Sequence, residues 1–134
     1  MVTTDDLESF LDRLSNEGAS YSDAGDNIWI IHPGGALNLD VVVHYNPPVV
    51  VLRMKVMSVP KLNGKGADLN RRLLELNATD LVHGSYGISD DSIILTEALE
   101  LAHLDFEEFQ ASYESMTLAL ATHMRELASY REEA

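Results

Sequence analysis

The sequence has no cysteine. That absence alone excludes disulfides, thiol nucleophiles, and cysteine-ligated zinc or iron–sulfur clusters. Positive charge is scarce: nine Lys and Arg face 22 Asp and Glu, for a formal net charge of −13. Nucleic acids and anionic lipid surfaces are bound by basic surfaces, so neither is an expected partner. Long apolar runs are missing too. Val49-Val50-Val51-Leu52 is as long as they become, far short of the roughly 18 residues that mark a spanning helix. The first residues, Met1-Val2-Thr3-Thr4-Asp5-Asp6, show neither the basic start nor the apolar stretch of an export signal. The expectation is a cytoplasmic protein with no membrane partner. Asn77-Ala78-Thr79 fits the glycosylation sequon, a chance match in a chain that is not exported.

What is present is the material of one globular domain over residues 1–134, with 46% hydrophobic residues. Leu7, Phe10, Leu11 and Leu14 repeat at helical spacing behind a Thr3 or Thr4 cap, with Asp5, Asp6 and Glu8 in the first turn and Gly18 as the stop. Three strands are expected next, over Asn27–His32, Leu37–Tyr45 and Val49–Met57. The third has a fully apolar face of Val50, Leu52, Met54 and Val56. Its other face, Val49, Val51, Arg53, Lys55 and Met57, begins apolar and turns basic. After a loop over 58–67, a short helix is expected over Asp68–Asn77. Then come strands over Val82–Ile88 and Ser92–Thr96, joined at Ser89-Asp90-Asp91. The last helix starts at Asp105, with Glu108 three residues on, and carries the stripe Phe106, Phe109, Tyr113, Met116, Leu120, Met124 and Leu127. The order α-β-β-β-α-β-β-α describes an α+β domain, an antiparallel sheet packed by helices.

No motif carries a reaction. The five histidines show no i, i+4 pair and no HExxH pattern. His123 sits beside the helix stripe as a flank residue. Asn63-Gly64-Lys65-Gly66 lacks the phosphate-loop spacing, and Asp90-Asp91 lacks that of a calcium loop. Neither a nucleophile elbow nor a Ser-His-Asp signature occurs. The chain reads as a non-enzyme with no cofactor. The alternative is a metal or small-molecule site assembled from distant residues, with His32, His44 and His83 approaching one another across the sheet.

Charge is unevenly placed. Residues 1–52 carry a net −7 and residues 73–134 a net −11. Between them, residues 53–72 carry six bases against one acid, a net +5, which includes Arg53, Lys55, Arg71 and Arg72. Such an island can steer an acidic protein partner or an acidic part of a second subunit. Surplus apolar residues point the same way: Val49, Val51 and Met57 on the third strand, and Leu118 with Ala121 on the outer side of the last helix.

Leu73-Leu74-Glu75-Leu76-Asn77, then His83-Gly84-Ser85-Tyr86-Gly87-Ile88 and Ile93-Ile94-Leu95, resemble the type III secretion chaperone-like superfamily. Within it the chain is most similar to the YbjN group of sensory transduction regulators. The resemblance covers nearly the whole chain. It implies a small, acidic, non-enzymatic domain that dimerises and holds a segment of a partner protein against apolar patches, and it transfers no catalytic residue. The expectation is therefore a protein-interaction module, a homodimer, with Val49, Val51, Met57, Leu118, Arg53, Lys55, Arg71 and Arg72 as partner-binding residues.

Overall fold

The structure, a computed structural model, describes residues 1–35, 39–61 and 65–131, without the side chain of Lys65. Helix α1 spans Thr4–Ser15. The Thr3 hydroxyl accepts from the Asp6 N–H at 3.2 Å, and the Asp6 carboxylate accepts from the Thr3 N–H at 2.9 Å. This reciprocal cap satisfies donors that a helix start leaves open. Leu7, Leu11 and Leu14 are buried, and Phe10 packs on Phe106 and Phe109 with ring centres 5.9 and 5.8 Å away.

Six strands form one antiparallel sheet in the order β1-β2-β3-β4-β6-β5. They are β1 Ser20–Gly25, β2 Ile28–His32, β3 Val41–Asn46, β4 Val49–Ser58, β5 Ser85–Ser89 and β6 Ser92–Glu100. The fold class is the expected one, with a strand added. Strand β1 is almost wholly exposed and has no β-branched aliphatic residue, so its sequence carries no strand signal. It pairs with β2 through a tight turn in which Asp26 and Asn27 both have positive φ, 54° and 63°, a backbone that Asp and Asn tolerate. The Tyr21 hydroxyl, donating to Asp12 Oδ1 at 2.6 Å, ties this strand to α1. Strand β6 runs past Thr96 because Glu97 through Glu100 find partners on Leu52 through Val49. The expected second strand is seen from Val41. Leu37 and Asn38, like Asn63 and Gly64 of the glycine-containing loop, lie outside the described residues.

Alternation on β4 places Val50, Leu52 and Met54 in the core. Between Lys55 and Met57 the register shifts by one residue against β6: Lys55 stands opposite Ile94 and Met57 opposite Ile93. A bulge of this kind reverses which face the following residue occupies. Met57 therefore does not continue the outer face as expected. It turns inward and is 6% exposed.

Helix α2 (Lys65–Thr79) is longer than its apolar spacing suggests and buries Leu69, Leu73 and Leu76. Helix α3 (Phe106–Ala128) starts on Asp105, whose carboxylate accepts from the Glu108 N–H at 2.8 Å. Its expected stripe is buried except at Met124. Instead, His123 is the inward residue, only 6% exposed. It is not the flank residue expected. The reason is polar: its ring lies between the Tyr86 hydroxyl, 2.7 Å from Nδ1, and Asp80 Oδ2, 3.2 Å from Nε2. A methionine has no donor for Asp80 and only a weak sulfur acceptor for the Tyr86 hydroxyl.

Candidate protein-binding surface

The core residues of the strands and the three helices form one cluster on one side of the sheet. Among the described residues, no helix lies over the other side. Strand pairing assembles its side chains into rows. One row runs Ile28, His44, Val51, Ala98; the next runs Ile30, Val42, Arg53, Thr96. Lys55 lies beside Ile94, and Val49 beside Glu100. None of these residues is fully buried, and Ile28, Ile30, Val42, Val49, Val51 and Ile94 are half-buried by their neighbours alone. The result is an apolar centre of Ile28, Ile30, Val42, Val49 and Val51 on three adjacent strands, bordered by exposed Arg53, which stands between it and the Lys55–Ile94 pair, and by exposed Glu100. A contiguous apolar face with a charged rim is the anatomy of an association surface.

A family model for CesT_Tir_1 matches residues 2–133. The chain belongs to this family of type III secretion chaperones. Among solved structures, it resembles the ExoU–SpcU complex of the Pseudomonas aeruginosa type III secretion system, with a TM-score of 0.66 at 14% identity over 94% of this chain and 98% of that one. Escherichia coli YbjN gives 0.66 at 15% over 95% and 92%. The ExsC–ExsE complex gives 0.58 at 14% over 95% and 97%. No curated protein matches the chain by sequence. At these identities the structural likeness establishes the fold.

Within this CesT_Tir_1 chain, the residues singled out by sequence separate into groups. Val49, Val51, Arg53 and Lys55 stand together on the open face. Ile28, Ile30, Val42 and Ile94 join them, and sequence reasoning missed them. Their signal was visible: Ile28-Trp29-Ile30-Ile31 and Val41-Val42-Val43 are apolar on both faces of their strands, which fits a sheet covered on both sides. Leu118 stands elsewhere, 70% exposed on the outer side of α3. Arg71 is exposed on α2. Arg72 is engaged: its Nε donates to Glu126 Oε2 and its Nη2 to Oε1 at 3.1 Å, linking α2 to α3.

The three histidines are not brought together. His32 accompanies Ser22 and Asp40, at 3.2 Å from Nε2 and 3.1 Å from Nδ1. His44 stands opposite Ile28, four residues or about 13 Å along β2. His83 lies against the start of α3, with Glu107, Glu108 and Ser112 around it. Among the described residues, no group of three His, Asp or Glu is placed to hold a metal ion. The Ser22–His32–Asp40 contact has the atom order of a hydrolytic triad, with Ser22 on the exposed edge strand β1 and a half-exposed His–Asp pair.

The links between α2 and α3 give a pH dependence. Glu126 is held below its ordinary 4.5 chiefly by the Arg72 guanidinium. Asp80 is held below 3.8 by the Thr79 hydroxyl and then by His123, and Asp6 below 3.8 by the Thr3 N–H and hydroxyl. Each binds its proton less readily in the folded chain than in the unfolded one. Their stabilisation is complete above the ordinary values and is lost as pH falls through the lowered ones. The thermal midpoint is expected to drop as pH goes from about 5 to about 3, and Glu126→Gln should reduce the size of that drop.

Proposed function

We propose that this protein is a non-enzymatic, chaperone-like binding module of the cytoplasm that holds a segment of a partner protein on the open face of its sheet, and that it works as a homodimer. The observation that carries the reading is the apolar centre of Ile28, Ile30, Val42 and Val51, over which no helix lies among the described residues. A soluble domain normally buries such a surface against something. Family membership and the likeness to ExoU–SpcU and ExsC–ExsE, both solved as complexes, support a polypeptide as the occupant. Arg53 and Lys55 supply the charged rim, Leu118 offers a second, separate contact on α3, and Arg71 extends the basic surface along α2. Arg72 contributes through its hold on Glu126, and Met57 as part of the floor beneath Lys55.

Light scattering tests the dimer. A mass of twice 14.8 kDa supports it, and a concentration-independent mass near 14.8 kDa removes it. Affinity isolation tests the surface. Val51→Asp is expected to release a partner that the parent chain retains, with an unchanged circular dichroism spectrum. Retention by Val51→Asp counts against the open face.

A further inference from the structure

Three polar side chains gather at one end of the open face, and strand register places them there. Ser20 stands opposite His32 and Ser22 opposite Ile30, so Ser22 and His32 are diagonal neighbours on one face of an antiparallel pair. Ile31 stands opposite Val41, and Asp40, the residue before β3, falls beside His32. His32 Nδ1 lies 3.1 Å from Asp40 Oδ1, and Nε2 lies 3.2 Å from Ser22 Oγ. A carboxylate only accepts hydrogen bonds. Nδ1 therefore carries the ring proton, and Nε2 is left to accept from the Ser22 hydroxyl. That is the tautomer in which an imidazole takes a proton from a serine. Ser22 is exposed. The apolar centre begins at its neighbour Ile30, which stands opposite Val42.

We propose that Ser22 is an acylation site, which takes an acyl group from an activated carboxylic ester with His32 as the base and Asp40 as the positioning residue. Ser22 Oγ attacks the ester carbonyl carbon while His32 Nε2 takes the hydroxyl proton. The bond that forms joins Oγ to that carbon. The bond that breaks joins the same carbon to the leaving oxygen, which departs with its electron pair. A weakly basic leaving group departs as the anion and needs no proton, so the proton passes from His32 to water. The product is one O-acyl serine per chain, a modification and not a turnover. Ile30 and Val42 give a short alkyl chain on Ser22 an apolar surface to lie on. The inference does not rest on the protein-binding reading, and its failure leaves that reading standing.

The test is incubation of the folded chain with 4-nitrophenyl butanoate, followed by tandem mass spectrometry to locate the modified serine. Ser20, on the same face and opposite the same histidine, is the internal control. Ser22 is expected to be acylated at least about tenfold faster than Ser20. His32→Ala should lower the Ser22 rate about tenfold, and added imidazole should restore part of it. Asp40→Asn should lower the rate about threefold or more, and Asp40→Glu should lower it less, each with an unchanged circular dichroism spectrum. The chain unfolded in urea should lose the preference. Equal acylation of Ser20 and Ser22, acylation of neither, or a Ser22 rate indifferent to His32→Ala overturns the proposal. A preference that survives unfolding overturns it as well, because it would then belong to the local sequence and not to three residues joined by strand register.

Discussion

Gly84→Val is expected to cost about 2–6 kcal/mol of stability. Two separate costs add. Gly84 has φ +86°, a left-handed backbone that strains a β-branched residue by about 1–3 kcal/mol. A Cβ there would also lie 3.3 Å from Leu95 Cδ1 and Met116 Cγ and 3.4 Å from the Thr96 carbonyl oxygen. Filling a packed site of this kind costs a further 1–3 kcal/mol or so. The glycine lets the chain pass closely between α3 and β6 as it enters β5, with its N–H donating to Glu97 Oε2 at 2.7 Å. Gly87, two residues from the start of β5, has open space where its Cβ would be. Gly87→Ala should therefore stay within about 0.5 kcal/mol of the parent chain. Urea unfolding of the two variants checks both numbers. A Gly84→Val chain as stable as the parent would show that the close approach under α3 is not needed.

Asn77→Ala is expected to cost about 2–4 kcal/mol. Strand β5 is one of the two outer strands of the sheet, and an outer strand leaves every second main-chain N–H and C=O unpaired. At Tyr86 the Asn77 side chain takes both. Its Oδ1 accepts from the Tyr86 N–H at 2.7 Å, and its Nδ2 donates to the Tyr86 carbonyl at 3.2 Å. One amide at the end of α2 thus does what a neighbouring strand would do. Removing it strands two half-buried main-chain groups, at about 1–3 kcal/mol each and partly offset by water. Hydrogen exchange gives a local readout beside the unfolding curve: the Tyr86 amide should lose protection in Asn77→Ala while the β3–β4 amides keep theirs. Equal loss across the sheet would mean that Asn77 acts on the whole fold and not on this edge.

These two residues were conspicuous in the sequence before their roles were visible. Asn77 closes the leucine-rich helix motif, and Gly84 opens the strand motif that follows. Caps and alternation were legible because they depend on neighbours in sequence: Thr3 with Asp6, Asp105 with Glu108, and Val50, Leu52 and Met54 on one face of β4. What escaped depends on distant residues. Strand β1 has no apolar signature and exists through its pairing with β2. Met57 changes face because of a bulge defined against Ile93 and Ile94 of another strand. His123 is buried for Tyr86 and Asp80, 37 and 43 residues away. On the candidate surface, β4 showed its half-apolar outer face plainly. That β2 and β3 are apolar on both faces was legible too, but that Ile28, Ile30 and Val42 lie beside Val51 follows from the strand order, which a single sequence does not display.

Site-specific photo-cross-linking tests the open face most directly. A benzophenone side chain at position 51 would sit among Ile28, His44 and Ala98, and one at position 118 on the outer side of α3. The account predicts that position 51 captures one defined polypeptide, identified by mass spectrometry as a partner protein or a second copy of this chain, and that Val42→Asp abolishes the product. Efficient capture from position 118 with none from position 51 would contradict it.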